Sequence, residues 1–176
     1  MNFIMIGVEN KFSDKKMKMK KVLIALDYDP TAQKVAESGY LLAKKMGAEV
    51  TLLHVMADET YYSGYSILET FPTTGVMGIT EKDAAHLFNG GLKKAMKHFL
   101  EKCKTHLCDE TIKIVIKEGD FGETILKTAK KLHIDVIVMG SHSRNWLENI
   151  IMGSVTENVL RHSTIPLFII PMKNHK

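Results

Sequence analysis

The sequence predicts an α/β domain built on a single doubly wound, five-stranded parallel sheet flanked by four helices. Three observations lead there. Short apolar runs alternate with longer stretches of helical period along residues 21–173. Several of those runs are apolar almost without interruption, the pattern of parallel strands covered on both faces. The 176-residue length suits one compact unit, and a chain of that size buries roughly 70% of its unfolded surface.

The elements follow in order. Val22-Leu23-Ile24-Ala25-Leu26 reads as the first buried strand. Asp29-Pro30 offers an N-cap and a first-turn proline, and an amphipathic helix then runs to Met46, where Gly47 ends it. Val50 to Val55 is the second strand. Residues 57–79 hold three tyrosines, a proline and three glycines with no sustained period, which predicts a long loop of the kind that carries function. Thr80 with Asp83 resembles a capping box, and Ala84, Phe88, Leu92, Ala95, Phe99 and Cys103 mark the buried stripe of a long helix. Ile112 to Ile116 alternates as the third strand. Asp120 and Glu123 open a helix through Leu132, and Asp135 to Met139 is the fourth strand. A helix from Gly153 to Arg161 precedes the fifth strand, Leu167 to Ile170, which Pro166 and Pro171 bracket.

Composition narrows the function. The 45% hydrophobic and 25% charged content excludes a disordered or collagen-like chain. No apolar run approaches the ~18 residues of a membrane span. The net charge of +4 resides in residues 1–21, where six lysines face Glu9 and Asp14; the remaining chain is neutral. Residues 1–20 therefore read as a basic leader ahead of a domain at 21–173, and the domain lacks the electrostatic footprint of a nucleic-acid binder. Cys103 and Cys108 have no second pair to complete a metal site and read as reduced thiols of a cytoplasmic protein. HExxH, GxSxG and paired CxxC motifs are absent, so neither a zinc site nor a serine nucleophile is expected.

In a doubly wound sheet, ligands sit beyond the carboxyl ends of the strands, where strand order reverses. The richest segment there is Gly140-Ser141-His142-Ser143-Arg144, continuing through Trp146 and Ile150-Ile151-Met152 to Gly153-Ser154-Val155-Thr156. A glycine at a strand end lets a ligand approach the backbone, and a helix opening at Gly153-Ser154 offers free N–H groups to an anion such as phosphate. With no lysine between Lys131 and Lys173, phosphates there rely on backbone N–H groups, Arg144 and a divalent cation. Ser154 and Glu157 also match a capping box, a structural job that needs no ligand. His54, inside a strand, reads as a hydrogen-bonded core histidine, and His142 as a solvated loop residue. Trp146 and Ile150 to Met152 read as apolar anchors of the loop.

The spacing of Gly140, Gly153 and Ser154 resembles the glycine pattern of the universal stress protein family, in its ATP-binding branch. The resemblance extends over residues 20–172, including Asp27 and the Leu52-Leu53-His54-Val55 strand. It implies an adenine-nucleotide alpha-hydrolase-like, Rossmann-like fold holding ATP or AMP with magnesium. Asp27 and Val55 would meet the adenine; Gly140, Ser143, Gly153, Ser154 and Val155 would surround the ribose and phosphates, and Met139 and Arg144 complete the expected nucleotide-binding set. Ser143 departs from the pattern, which has glycine there. The resemblance further implies a stress-response switch, not an enzyme, whose loops at 57–79 and 140–153 a terminal phosphate and magnesium would order. It implies a homodimer paired through Leu167 to Ile170 and signalling to an unidentified protein partner. Two other readings stand beside it: a dimeric interaction protein of the same family that binds no nucleotide, and a slow ATPase or phosphotransferase.

Overall fold

The computed structural model describes residues 20–28, 31–57, 81–141 and 153–172, with side chains of the long helix described from residue 90 onward. Nine elements alternate along the chain: β1 (Lys21–Ala25), α1 (Ala32–Met46), β2 (Glu49–Met56), α2 (Glu81–His106), β3 (Lys113–Glu118), α3 (Phe121–Lys131), β4 (Val136–Gly140), α4 (Ser154–His162) and β5 (Leu167–Ile170). Residues 1–19 of the expected leader and 58–79 of the expected 57–79 loop lie outside the described residues, as do Asp29, Pro30 and Thr80.

All five strands are parallel, in the order β3-β2-β1-β4-β5. The chain therefore builds outward on one side of β1, then crosses over and builds on the other. The reversal falls between β1 and β4, which pair from Val22↔Val136 to Ile24↔Val138. At the opposite end of the sheet the start of β1 is pinned: the Asp135 carboxylate accepts the N–H groups of Lys20 and Lys21 at 2.7 and 2.9 Å.

Alternation along each strand divides the core into two layers. Val22, Ile24, Leu52 and Val138 pack under Ala32, Val35 and Ala36 of α1 and Leu100 and Cys103 of α2. Leu23, Leu53, Val55, Ile137 and Met139 pack under Ile125 and Ala129 of α3 and Val159 of α4. α1 lies very close to the sheet at Gly39, where an added Cβ would fall 2.8 Å from Ile24 Cδ1 and 3.1 Å from Val138 Cγ1. Gly47 closes α1 in the left-handed conformation (φ +62°), the helix-ending glycine that the sequence predicts.

Strand and helix identities match the sequence-based expectation, with bounds shifted by one or two residues; the N-cap of α1 is Thr31 and not the expected Asp29, so Pro30 precedes the helix. One stripe needs correction. In α2 Ala95 is exposed, and the buried positions are Met96, Leu100 and Cys103. Cys103 is buried as expected and Phe99 packs half-buried against the core, so the departure is at Ala95, in whose place the longer Met96 is buried.

Candidate functional site

A cavity of about 340 Å³ opens beyond the carboxyl ends of the strands, at the β1/β4 reversal. Six of the predicted site residues line it together: Asp27, Val55, Met139, Gly140, Ser154 and Val155. Gly153 stands beside them as the N-cap of α4, while Ser143 and Arg144 lie outside the described residues. His142, Trp146 and Ile150 to Met152 are outside them too.

At one end of the cavity β1 runs out against β2. The last rung is Leu26 N–H donating to the Leu53 carbonyl at 2.9 Å, and the Met56 carbonyl accepts from Gly119 N–H on the β3 side at 3.0 Å. Backbone groups of a strand point alternately to its two neighbours. The amide and carbonyl of Val55 therefore face the β1 side, past that last rung. Asp27 follows directly in the chain; its Oδ1 accepts the Tyr28 N–H at 2.8 Å, which holds the carboxylate at the turn. His54 is buried, and its Nδ1 lies 2.8 Å from the Leu26 carbonyl. A carbonyl only accepts, so Nδ1 carries the proton, and the expected hydrogen-bonded core histidine is the one found.

At the other end, α4 begins. Gly153 occupies its N-cap with φ −60° and ψ 147°, an extended conformation open to any residue, and no side chain among the described residues caps the helix. This overturns the expected capping box. Ser154 is the first helical residue, one position too late to cap, and Glu157 does not reach back: its carboxylate accepts from Arg161 Nη2 at 2.7 Å and Nε at 3.0 Å, one turn further on. The first N–H groups of α4 are thus left without a side-chain acceptor among the described residues, and the one carboxylate in the first turn is engaged away from them.

Three hydrogen bonds meet at Ser141 to fix this helix end on the sheet. Its N–H donates to the Ile170 carbonyl (2.9 Å), its carbonyl accepts from Gly153 N–H (3.3 Å), and its hydroxyl accepts from Met172 N–H (3.0 Å). The buried Thr156 hydroxyl adds a fourth link, donating to the Gly140 carbonyl at 2.9 Å. Gly140 has an internal reason as well as the ligand approach the sequence suggests. A Cβ there would meet Val35 Cγ2 at 3.1 Å and Met172 Cγ at 3.3 Å.

Sequence reasoning missed Phe121 and Ile125, which also line the cavity from α3. The signal was available: Asp120 caps α3 by accepting Glu123 N–H at 2.8 Å, and that cap places residue 121 at the carboxyl edge of the sheet. The ionisable groups that the fold perturbs lie elsewhere. Hydrogen bonds from Thr111 lower the pKa of Asp109, those from Gln33 and then His106 lower that of Glu37, and burial raises that of the Cys103 thiol. Both cysteines are free, Cys103 buried and Cys108 exposed. Among the described residues no group of three His, Cys, Asp or Glu side chains is placed to hold a metal ion, and no helix is long and apolar enough to cross a membrane.

A parallel five-stranded sheet with a crevice at its reversal defines a Rossmann-like α/β fold. Residues 18–171 match the model of the universal stress protein family, and the chain belongs to that family. It is similar to universal stress protein MJ0577 of Methanocaldococcus jannaschii, with 31% identity over 159 residues that cover 88% of this chain and 96% of that one. The solved structure of MJ0577 superposes with a TM-score of 0.66 at 28% identity, covering 90% of this chain and 99% of the other. Universal stress protein YxiE of Bacillus subtilis is 27% identical over 152 residues, covering 85% of this chain and 97% of YxiE. A universal stress protein solved in complex with cAMP shares the fold, with a TM-score of 0.56 at 13% identity over 86% of this chain and 95% of that one.

Proposed function

We propose that this protein is an adenine-nucleotide-binding regulator. ATP, or AMP in its place, occupies the crevice, and the bound state is read by a protein partner. The observation that carries the reading is the pairing of two unlike ends in one cavity: a carboxylate and outward-facing strand backbone at Asp27 and Val55, and the uncapped N-terminus of α4 at Gly153 and Ser154. The adenine amino group donates to Asp27 or the Val55 carbonyl, and a ring nitrogen accepts from the Val55 amide. Phosphate oxygens accept from the α4 N–H groups, where the helix dipole favours negative charge. Ser143 and Arg144, which the family resemblance assigns to the phosphates, lie outside the described residues. Magnesium arrives on the phosphate oxygens, which suits a cation that keeps most of its own water. The cAMP complex of a protein with this fold supports an adenylate as the ligand class.

The proposal makes the protein a cytoplasmic switch and not an enzyme. A homodimer through β5 belongs to the same reading. β5 is an edge strand without a charged residue, and Phe168 is 43% exposed on it. Phe168→Asp is expected to shift sedimentation from dimer to monomer; an unchanged profile would remove this use of the strand.

The direct test is to purify the protein without added nucleotide, denature it, and identify any released small molecule by mass spectrometry. Recovered adenylate supports the reading. An empty protein that also fails to bind ATP with magnesium would favour the interaction-protein alternative, for which the serine at position 143 is the specific ground.

A further inference from the structure

The turn between β3 and α3 is unusually well fixed for a loop at a cavity rim. Gly119 has φ +133°, and its N–H donates to the Met56 carbonyl at 3.0 Å, tying the turn to the end of β2 one residue from Val55. Asp120 caps α3. At Gly122 an added Cβ would fall 2.7 Å from Asn158 Oδ1 and 2.9 Å from its Cγ, so the first turn of α3 lies directly against α4. The residue held between these three restraints is Phe121.

Its surroundings are at odds with a core role. Phe121 is 37% exposed although it lines the cavity, and the ring contact among the described residues, Tyr28 with Phe99, does not involve it. The neighbouring walls are Val55, Ile125, Met139 and Val155, all apolar, with Asp27 as the charged group. A half-exposed phenyl on a rigid backbone, next to apolar walls and a single carboxylate, is suited to a flat aromatic ligand with a polar edge.

We propose that Phe121 is the specificity-determining residue of the crevice: its ring is the platform against which the base lies, and it selects a purine over smaller or non-aromatic groups. The inference rests on the nucleotide reading above and names the residue that discriminates among ligands there. Its contribution is confined to the base. Stacking of a base on an aromatic side chain is worth ~1–3 kcal/mol, which corresponds to roughly 5- to 140-fold in affinity.

The test measures the affinities of the full-length protein for ATP, CTP and inorganic tripolyphosphate, each with magnesium, in the wild type, Phe121→Ala and Phe121→Trp. Phe121→Ala is expected to weaken ATP at least fivefold, to narrow the preference for ATP over CTP, and to leave tripolyphosphate within twofold. Phe121→Trp is expected to keep ATP affinity within threefold of the wild type or raise it. If Phe121→Ala binds ATP as the wild type does, or loses ATP and tripolyphosphate by the same factor, the role assigned to Phe121 is wrong while the nucleotide site stands. A wild type that binds no ATP would overturn the site reading and this inference together.

Discussion

The two ends of the crevice are built on different principles. The base end is made of side chains and strand edges contributed by three strands and α3: Asp27 beyond β1, Val55 on β2, Met139 on β4, and Phe121 at the start of α3. The anion end is made of backbone, the uncapped first turn of α4 held to β4 through Ser141 and Thr156. Side chains differ from residue to residue and so can discriminate between bases. Backbone N–H groups are the same everywhere and give affinity for any phosphate. Under the proposed function a division of labour follows, with recognition at the base end and charge neutralisation at the helix.

Substitutions that act on one end only can break this comparison. The largest effect is expected from Gly153→Asp. Aspartate is at least as good an N-cap as glycine, so thermal stability should hold or rise by a few tenths of a kcal/mol (~0.3). The carboxylate would occupy the N–H groups and repel phosphate, weakening ATP by about a hundredfold while adenosine is little affected. Calorimetric titration beside a melting curve checks both parts; retained ATP affinity would mean the phosphates lie elsewhere.

Asp27→Ala acts on the other end. Losing a charge-assisted hydrogen bond is expected to weaken ATP and adenosine alike, by roughly ten- to a hundredfold, and to erase discrimination against GTP. Loss of ATP with adenosine unaffected would place Asp27 on the phosphate side and collapse the distinction. The smallest effect is expected from Thr156→Val, which removes the hydroxyl donating to the Gly140 carbonyl. Stability should fall by about 1 kcal/mol, and ATP should weaken about threefold more than adenosine, because α4 is held less firmly. Equal weakening of both ligands would show that Thr156 supports the whole crevice.

The two ends also differ in how far they could be read from sequence. Asp27 and Val55 were legible because apolar strands end at fixed places and ligands gather past them in this kind of sheet. The Asp120 cap was legible for the same local reason, since an N-cap bond spans three residues. Ser154 was misread because Gly-Ser before a helix fits two frames, and only the dihedral angles place the cap at Gly153. Ala95 was misplaced in the α2 stripe because it and Met96 are adjacent apolar residues, and the longer one is buried. Phe121 was missed because nothing local relates it to Asp27 or Met139, more than ninety and about twenty residues away respectively; the topology brings them together. Gly140 illustrates a role with two causes, since Val35 and Met172 crowd it from within the protein.

The most direct test of the account is calorimetric titration of the wild type with ATP and, separately, GTP, each in the presence of magnesium. The account expects saturable binding of ATP with an affinity at least tenfold above that for GTP, because the base end does the selecting. No binding of ATP, or equal affinity for the two, would contradict it.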